Sequence, residues 1–248
     1  VYVGRLCYWV LFPGLLFNLM SRAPLGSGFV GSFILTLAIG SAVIVGYALL
    51  AGWLARLDGP STSSLVQGAL RHNGFLVLSI VQGAFGMAAL EIVAIAIAFL
   101  VPISNIVSIV ALLSFKPRGQ GGSLRRAVAR ETMRNPLLAA ILAGVLVNLL
   151  AIPVPVFVTG VGEMLGNGAL PLLLLGIGAS LRFSAIQGDA VPLILAVVAK
   201  MLLFPFCLVM VGVQLGLDSL SLAVIAAVGA APTATSSFAL ASELGGNT

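Results

Sequence analysis

Charge is scarce in this sequence: 8% of its 248 residues are charged, seven acidic and twelve basic. A soluble domain carries about 25%, so the chain lacks the polar groups to coat a water-facing surface. That excludes a cytosolic globular enzyme, a secreted domain and a disordered chain. Histidine occurs once, at His72, and cysteine twice, at Cys7 and Cys207. Such a set offers no HExxH pair, no second imidazole, no CxxC and no disulfide framework. Both cysteines lie in apolar runs and read as small apolar side chains. There is no GxSxG serine, and the glycine-rich stretch at 119–122 follows an apolar helix rather than a strand, so it reads as a flexible loop and not a phosphate cradle. No metal and no cofactor are expected, and an enzyme would lack a nucleophile–base set.

What the sequence has is apolar length. Apolar residues make up 60% of it, and a helix needs about 20 in succession to span a bilayer. Eight runs qualify: 3–20, 30–54, 63–86, 88–115, 136–158, 161–181, 191–217 and 220–244. Membrane strands would alternate apolar and polar residues, which AIAIAFLV and LPLLLLGIGASL do not. The expected fold is an all-α polytopic membrane protein.

The net charge of +5 resides in one loop. Residues 116–135 hold Lys116, Arg118, Arg125, Arg126, Arg130 and Arg134 against Glu131, and the remaining charges cancel. Basicity of this kind can indicate nucleic acid or an anionic surface. Confined to one loop between spans, it reads as a topology determinant that holds the loop in the cytoplasm; a short amphipathic helix on the inner leaflet is the alternative. Alternating outward puts Arg5, Arg56 and Arg182 on the same side and leaves Arg22 on the other. The expected location is the plasma (inner) membrane, with several passes. Expected partners are a small organic anion, the lipid bilayer and, as an open alternative, a second copy in a homodimer. Nucleic acid is not among them.

Two landmarks recur. FPGLLFNL around Pro13 matches LPLLLLGIGASL around Pro171 at an offset of 158, and the interruption at Asn73 matches Pro232 at 159. Transporters often carry two inverted halves, and inversion requires an odd number of helices per half. The offset places one partner helix before residue 1 and one after residue 248. The expectation is therefore an inverted five-plus-five repeat with a helix absent at each end. Residues 1–115 would form the first repeat (helices 2–5), 116–135 the basic loop and 136–248 the second repeat (helices 6–9).

The candidate site lies at the two interruptions. In hydrocarbon, helix breaks occur only where protein or a cavity surrounds them. Arg71, His72, Asn73 and Gly74 fall mid-span: Gly74 permits unwinding and Asn73 offers both donor and acceptor. Pro232 ends a helical ladder, and Thr233, Thr235, Ser236 and Ser237 add hydroxyls. Ordinary proline kinking and hydroxyl back-bonding are the alternatives. Two breaks crossing near the midplane would aim half-helix N-termini at one point, which suits a carboxylate. Lys200, deep in its span, either balances an anion or pairs with a helix-end carbonyl. Arg71 is a second cation or snorkels. His72 handles protons or is a hydrogen-bonded structural residue, and Asn105 lines the cavity or bonds between helices. Acids cluster near span ends, which disfavours an antiporter built on midplane carboxylates. The spacings Gly162/Gly166 and Gly212/Gly216 are weak packing signals.

These residues resemble the auxin efflux carrier family, including its bacterial members. YWVLFPGLLFNL, RHNGFL, PISNIVSIVAL, RNPLLAAILAGVLVNLLAIPVP, LPLLLLGIGASL and GAAPTATSSFALASELGGN carry the likeness across essentially the whole chain. The resemblance implies ten helices in two inverted repeats, crossed broken fourth and ninth helices, and a chain that begins at helix two and stops after helix nine. It implies transport of organic anions such as malate, malonate or auxin-like acids by alternating access, with an elevator-like motion. Asn73-Gly74 and Pro232-Thr233 would form the crossover and Asn105 would line it. The short central loop departs from the long one that plant members can carry, which favours a bacterial-type member. A sodium-coupled symporter of the bile-acid type is the rival reading; a channel or an intramembrane enzyme fits less well.

Overall fold

The computed structural model describes residues 6–115, 135–180 and 190–233, with the isolated positions 129 and 133. Its elements are helices, and among the described residues there is no strand. Helix α1 is a π turn, Cys7–Leu11, running into Phe12–Arg22; α2 is Phe29–Leu54. The third run is split into α3, Gly59–Leu70, and α4, Gly74–Phe85. Then come α5 (Met87–Ser114), α6 (Pro136–Leu149) and α7 (Val156–Ser180). Helix α8 covers Ala190–Gln214 with a π turn at Ala199–Leu203, and α9 is Ser219–Ala230.

At 26 residues and 1.5 Å per residue, α2 is about 39 Å long, more than the roughly 30 Å of hydrocarbon it must cross. Together with Ala89–Ser114 and Ala190–Gln214, it is long and apolar enough to cross a membrane. Helix α2 is apolar on all sides, as a membrane span should be. Phe33, Leu37, Ile44 and Ala48 are buried, while Leu35, Leu50, Trp53 and Leu54 remain exposed to lipid. The chain is an all-α polytopic membrane protein.

Several ends differ from the apolar runs, each for a local reason. The third run starts at Gly59 because Asp58 caps it, its Oδ1 accepting from Ser61 N–H at 2.9 Å. The fifth stops at Leu149, since Pro153 and Pro155 lack the N–H groups a helix needs. The sixth therefore begins at Val156 rather than at 161.

The turns after α2 and α8 are the same structure, 160 residues apart. Ala55, Arg56 and Leu57 donate to Ala51, Trp53 and Gly52; Leu215, Gly216 and Leu217 donate to Val211, Val213 and Gly212. Arg56 (φ 52°) and Gly216 (φ 73°) occupy the same left-handed position. Asp58 and Asp218 then cap α3 and α9 through Ser61 and Ser221. That offset is one to two residues longer than the one between the sequence landmarks. Gly162 and Gly166 do face another helix, α1, at Asn18 and Leu15, whereas Gly216 is a turn residue and not a packing one.

Helix α1 packs against α6 and α7, while α2, α3 and α8 pack on one another and α9 packs on α8; α4 and α5 touch both groups. Gly40 and Gly229 admit Leu208 and Pro205 at close range, the small-residue packing expected where lipid supplies no hydrophobic drive. Ends that threading places on one face meet there. Arg22 pairs with Glu163 at 2.8 Å, and Asn148 Nδ2 donates to Met20 O and Ala23 O at 3.0 and 2.8 Å. An open cavity of about 580 Å³ on that face gathers Pro24, Phe29, Glu91 and Asp218.

Candidate functional site

A helix leaves its last four carbonyls without intrahelical partners, so the end of α3 in mid-membrane must find other donors. Arg71, extended at ψ 142°, donates its N–H back to Gln67 O at 2.9 Å. The Gly68 carbonyl accepts from the Thr233 hydroxyl at 2.9 Å, across 165 residues. Asn73 then serves both sides of the break. Its N–H donates to Pro232 O at 2.8 Å, and its Oδ1 accepts from Leu76 N–H at 3.2 Å, capping α4. The second break is built alike: α9 ends at Ala230 and Ala231 is extended at ψ 135°. The two interruptions therefore satisfy each other's backbone.

The linker is buried, with Arg71, His72 and Asn73 at 5–8% exposure. Gly74 stands against Ile97 of α5, where a Cβ would approach to 3.1 Å. Phe75 stacks on Phe12 with centroids 4.0 Å apart and fixes α4 against α1. Pro232 is exposed and Thr233 half-buried.

Lys200 reaches the same level from α8. Helices α3 and α8 meet at Gly68, whose added Cβ would lie 3.1 Å from Ala196 Cβ. Four residues further along from each contact lie His72, in the linker after α3, and Lys200, and His72 is within electrostatic reach of Lys200 and Arg71. Lys200 is 3% exposed, with Nζ 4.6 Å from the Phe204 ring centroid. Among the described residues Nζ has no hydrogen-bond partner, helix-end carbonyls included, and neither has either ring nitrogen of His72.

The structure brings Asn73, Gly74, Pro232 and Thr233 together at one point, with Arg71, His72 and Lys200 beside it. Asn105 stands apart: it is half-buried on α5, one turn after Pro102, and no hydrogen bond joins it to the crossover among the described residues. Thr235, Ser236 and Ser237 lie outside the described residues. Gln67 and Gly68 were not legible as site residues. Gln67 is 2% exposed with both amide atoms unpartnered among the described residues, and an amide two turns into an apolar span was its available signal.

Three of the four described acids, Asp58, Glu163 and Asp218, have structural duties at span ends. The Ser61 side-chain and backbone hydrogen bonds hold the Asp58 carboxyl below its usual range, and the Ser221 hydroxyl does the same for Asp218. Glu163 pairs with Arg22. Glu131, Asp189 and Glu243 lie outside the described residues. Among the described residues no three His, Cys, Asp or Glu side chains gather as a metal site.

A family model described as "membrane transport protein" matches residues 5–248. No curated protein matches the chain. With the match running over nearly its whole length, the chain belongs to the membrane transport protein family, that of the auxin efflux carriers.

Proposed function

We propose that this transporter carries small organic anions, carboxylates of the malate, malonate or auxin-like kind, by alternating access at the crossover. The observation that carries the reading is the reciprocal bonding of the breaks, Asn73 to Pro232 and Thr233 to Gly68. It sets the N-terminus of α4, with its partial positive charge and N–H groups, inside the bundle. Arg71 and Lys200 lie beside it, and no described span carries a carboxylate at that depth. A buried site of that sign discriminates against cations and holds an anion.

In this reading Asn73, Gly74, Pro232, Thr233 and Lys200 bind substrate, with Arg71 and His72 flanking and Asn105 admitted from α5 as the site changes shape. The halves 1–115 and 136–248 are inverted repeats, and the 116–135 loop faces the cytoplasm of a plasma-membrane protein. Helices α1, α6 and α7 pack as one group and α2, α3, α8 and α9 join through α8, with α4 and α5 between them, a division that an elevator-like movement could use.

The test is counterflow in proteoliposomes of the intact protein with labelled malate, malonate and indole-3-acetate. Saturable exchange of at least one is expected. No saturable exchange of any carboxylate overturns the proposal, and strict sodium dependence would move the chain to the symporter reading.

A further inference from the structure

Lys200 poses a charge-balance problem that the anion site alone does not solve. The residue is 3% exposed and, among the described residues, Nζ has no hydrogen-bond partner; the ring of Phe204, 4.6 Å from Nζ to centroid, offers a cation–π contact. Such a contact is weak beside the desolvation of a buried ion.

The elements packed on the Ala199–Leu203 turn are α2, α3 and α9, besides the rest of α8. Helix α2 brings Tyr47 as its sole titratable group, and α9 brings none between Ser219 and Ala230. The α3 side brings Arg71 and His72, both basic, and α8 itself adds Cys207. The nearest described acids in sequence, Asp58 and Asp218, cap the far ends of α3 and α9. No described carboxylate stands as its counter-ion, so the lysine's own charge is removed by releasing its proton or balanced by accepting an anion.

Those two events are then linked. Resting on the anion-carrier reading above, we propose that Lys200 is the proton carrier of the transport cycle: it takes up a proton together with the substrate carboxylate and releases both on the other side. On the loading side the neutral amine's lone pair forms an N–H bond with a proton from water, and the carboxylate binds as the ammonium's counter-ion. On the far side the proton returns to water and the anion leaves. A monocarboxylate crosses with no net charge. Arg71 cannot serve, because a guanidinium keeps its proton; it remains a fixed cation. The proton and the anion strengthen each other's binding by the same factor.

The chain has two lysines, Lys116 and Lys200, so a Lys116→Arg variant labelled with 13Cε-lysine reports Lys200 alone. That protein, in lipid nanodiscs, is titrated with pH alone and with malate, malonate or indole-3-acetate. The anion active in counterflow is expected to move the Lys200 titration upward. Its own affinity is expected to fall about tenfold per pH unit above that titration. Lys200→Gln should abolish this pH dependence and His72→Gln should leave it. Counterflow with an unmoved Lys200 resonance, or a Lys200→Gln protein that keeps the pH dependence, overturns the inference and leaves the carrier reading standing. If no carboxylate exchanges and none moves the resonance, both fall. A resonance that moves without exchange supports the proton link and rejects transport.

Discussion

Asn73 performs two tasks with different atoms, and substitution separates them. Its N–H holds Pro232 O, while its side chain caps α4. Asn73→Ala keeps the first and removes the second, and a lost N-cap costs about 1 kcal/mol. We expect a correspondingly small drop in the unfolding midpoint in nanodiscs, normal membrane insertion and a much larger loss of counterflow, with Asn73→Ser recovering part of both. Counterflow unchanged in Asn73→Ala would remove α4's N-terminus as the anion seat. Packing at single glycines is equally specific. A Cβ on Gly229 would lie 2.7 Å from Pro205 Cα, which is backbone and cannot swing away, while Gly160 has nothing within 4 Å. Gly229→Ala should lose about 1–3 kcal/mol to overpacking. Gly160→Ala should hold or gain up to about 1 kcal/mol from helix propensity. Paired thermal melts compare the two directly.

The elements show what apolar patterning conveys and where it stops. Helices α2, α5 and α8 were legible because long runs without charge have one physical outcome in lipid, and the first break was legible because Arg71-His72-Asn73 is polar mid-span. The π turns were not, since one extra residue in a turn leaves an all-apolar run looking unchanged. Both have a visible cause in hindsight: each precedes Phe-Pro, at Pro13 and Pro205. A proline ring collides with the carbonyl four residues earlier, here Trp9 and Met201, and a widened turn relieves that. Pro205→Ala should let α8 regain regular bonding and rotate Lys200 out of level with His72. The expected result is retained folding with a strong loss of counterflow; retained transport would show that the turn does not set the lysine. The caps give a pH prediction. Asp58 and Asp218 have carboxyls held below their unfolded range by serine hydrogen bonds. Their stabilisation is therefore present above the unfolded carboxylate range and is lost as pH falls through the lower folded value. The unfolding midpoint should drop on acidification, and Asp58→Asn with Asp218→Asn, which preserve the caps, should flatten that drop.

Across the whole molecule, threading explains contacts that no local pattern foretells. Arg22 with Glu163, Asn148 with Ala23, and Glu91 with Asp218 around one cavity are far apart in sequence, yet alternation assigns every one of them to the same face. Gly59 against Phe115 marks the opposite face. The contacts fix which ends lie together, and the proposed absolute direction rests on the basic loop at 116–135, because Lys and Arg are enriched on the cytoplasmic side. Cys7 is buried and Cys207 half-buried, so a protein with both changed to Ala is a suitable background for single cysteines. Ser27 and Ala55 are exposed in turns at opposite ends of α2, and Ser123 lies in the basic loop. An impermeant maleimide should label Ser27→Cys from outside in right-side-out vesicles, and Ala55→Cys with Ser123→Cys only after the membrane is opened or inverted. Ser123→Cys reacting alongside Ser27→Cys would break the threading itself, since α5 would then begin and end on one face. The reverse labelling of all three would keep the threading and refute the charge argument, turning the crossover around so that the Glu91–Asp218 cavity opens to the cytoplasm.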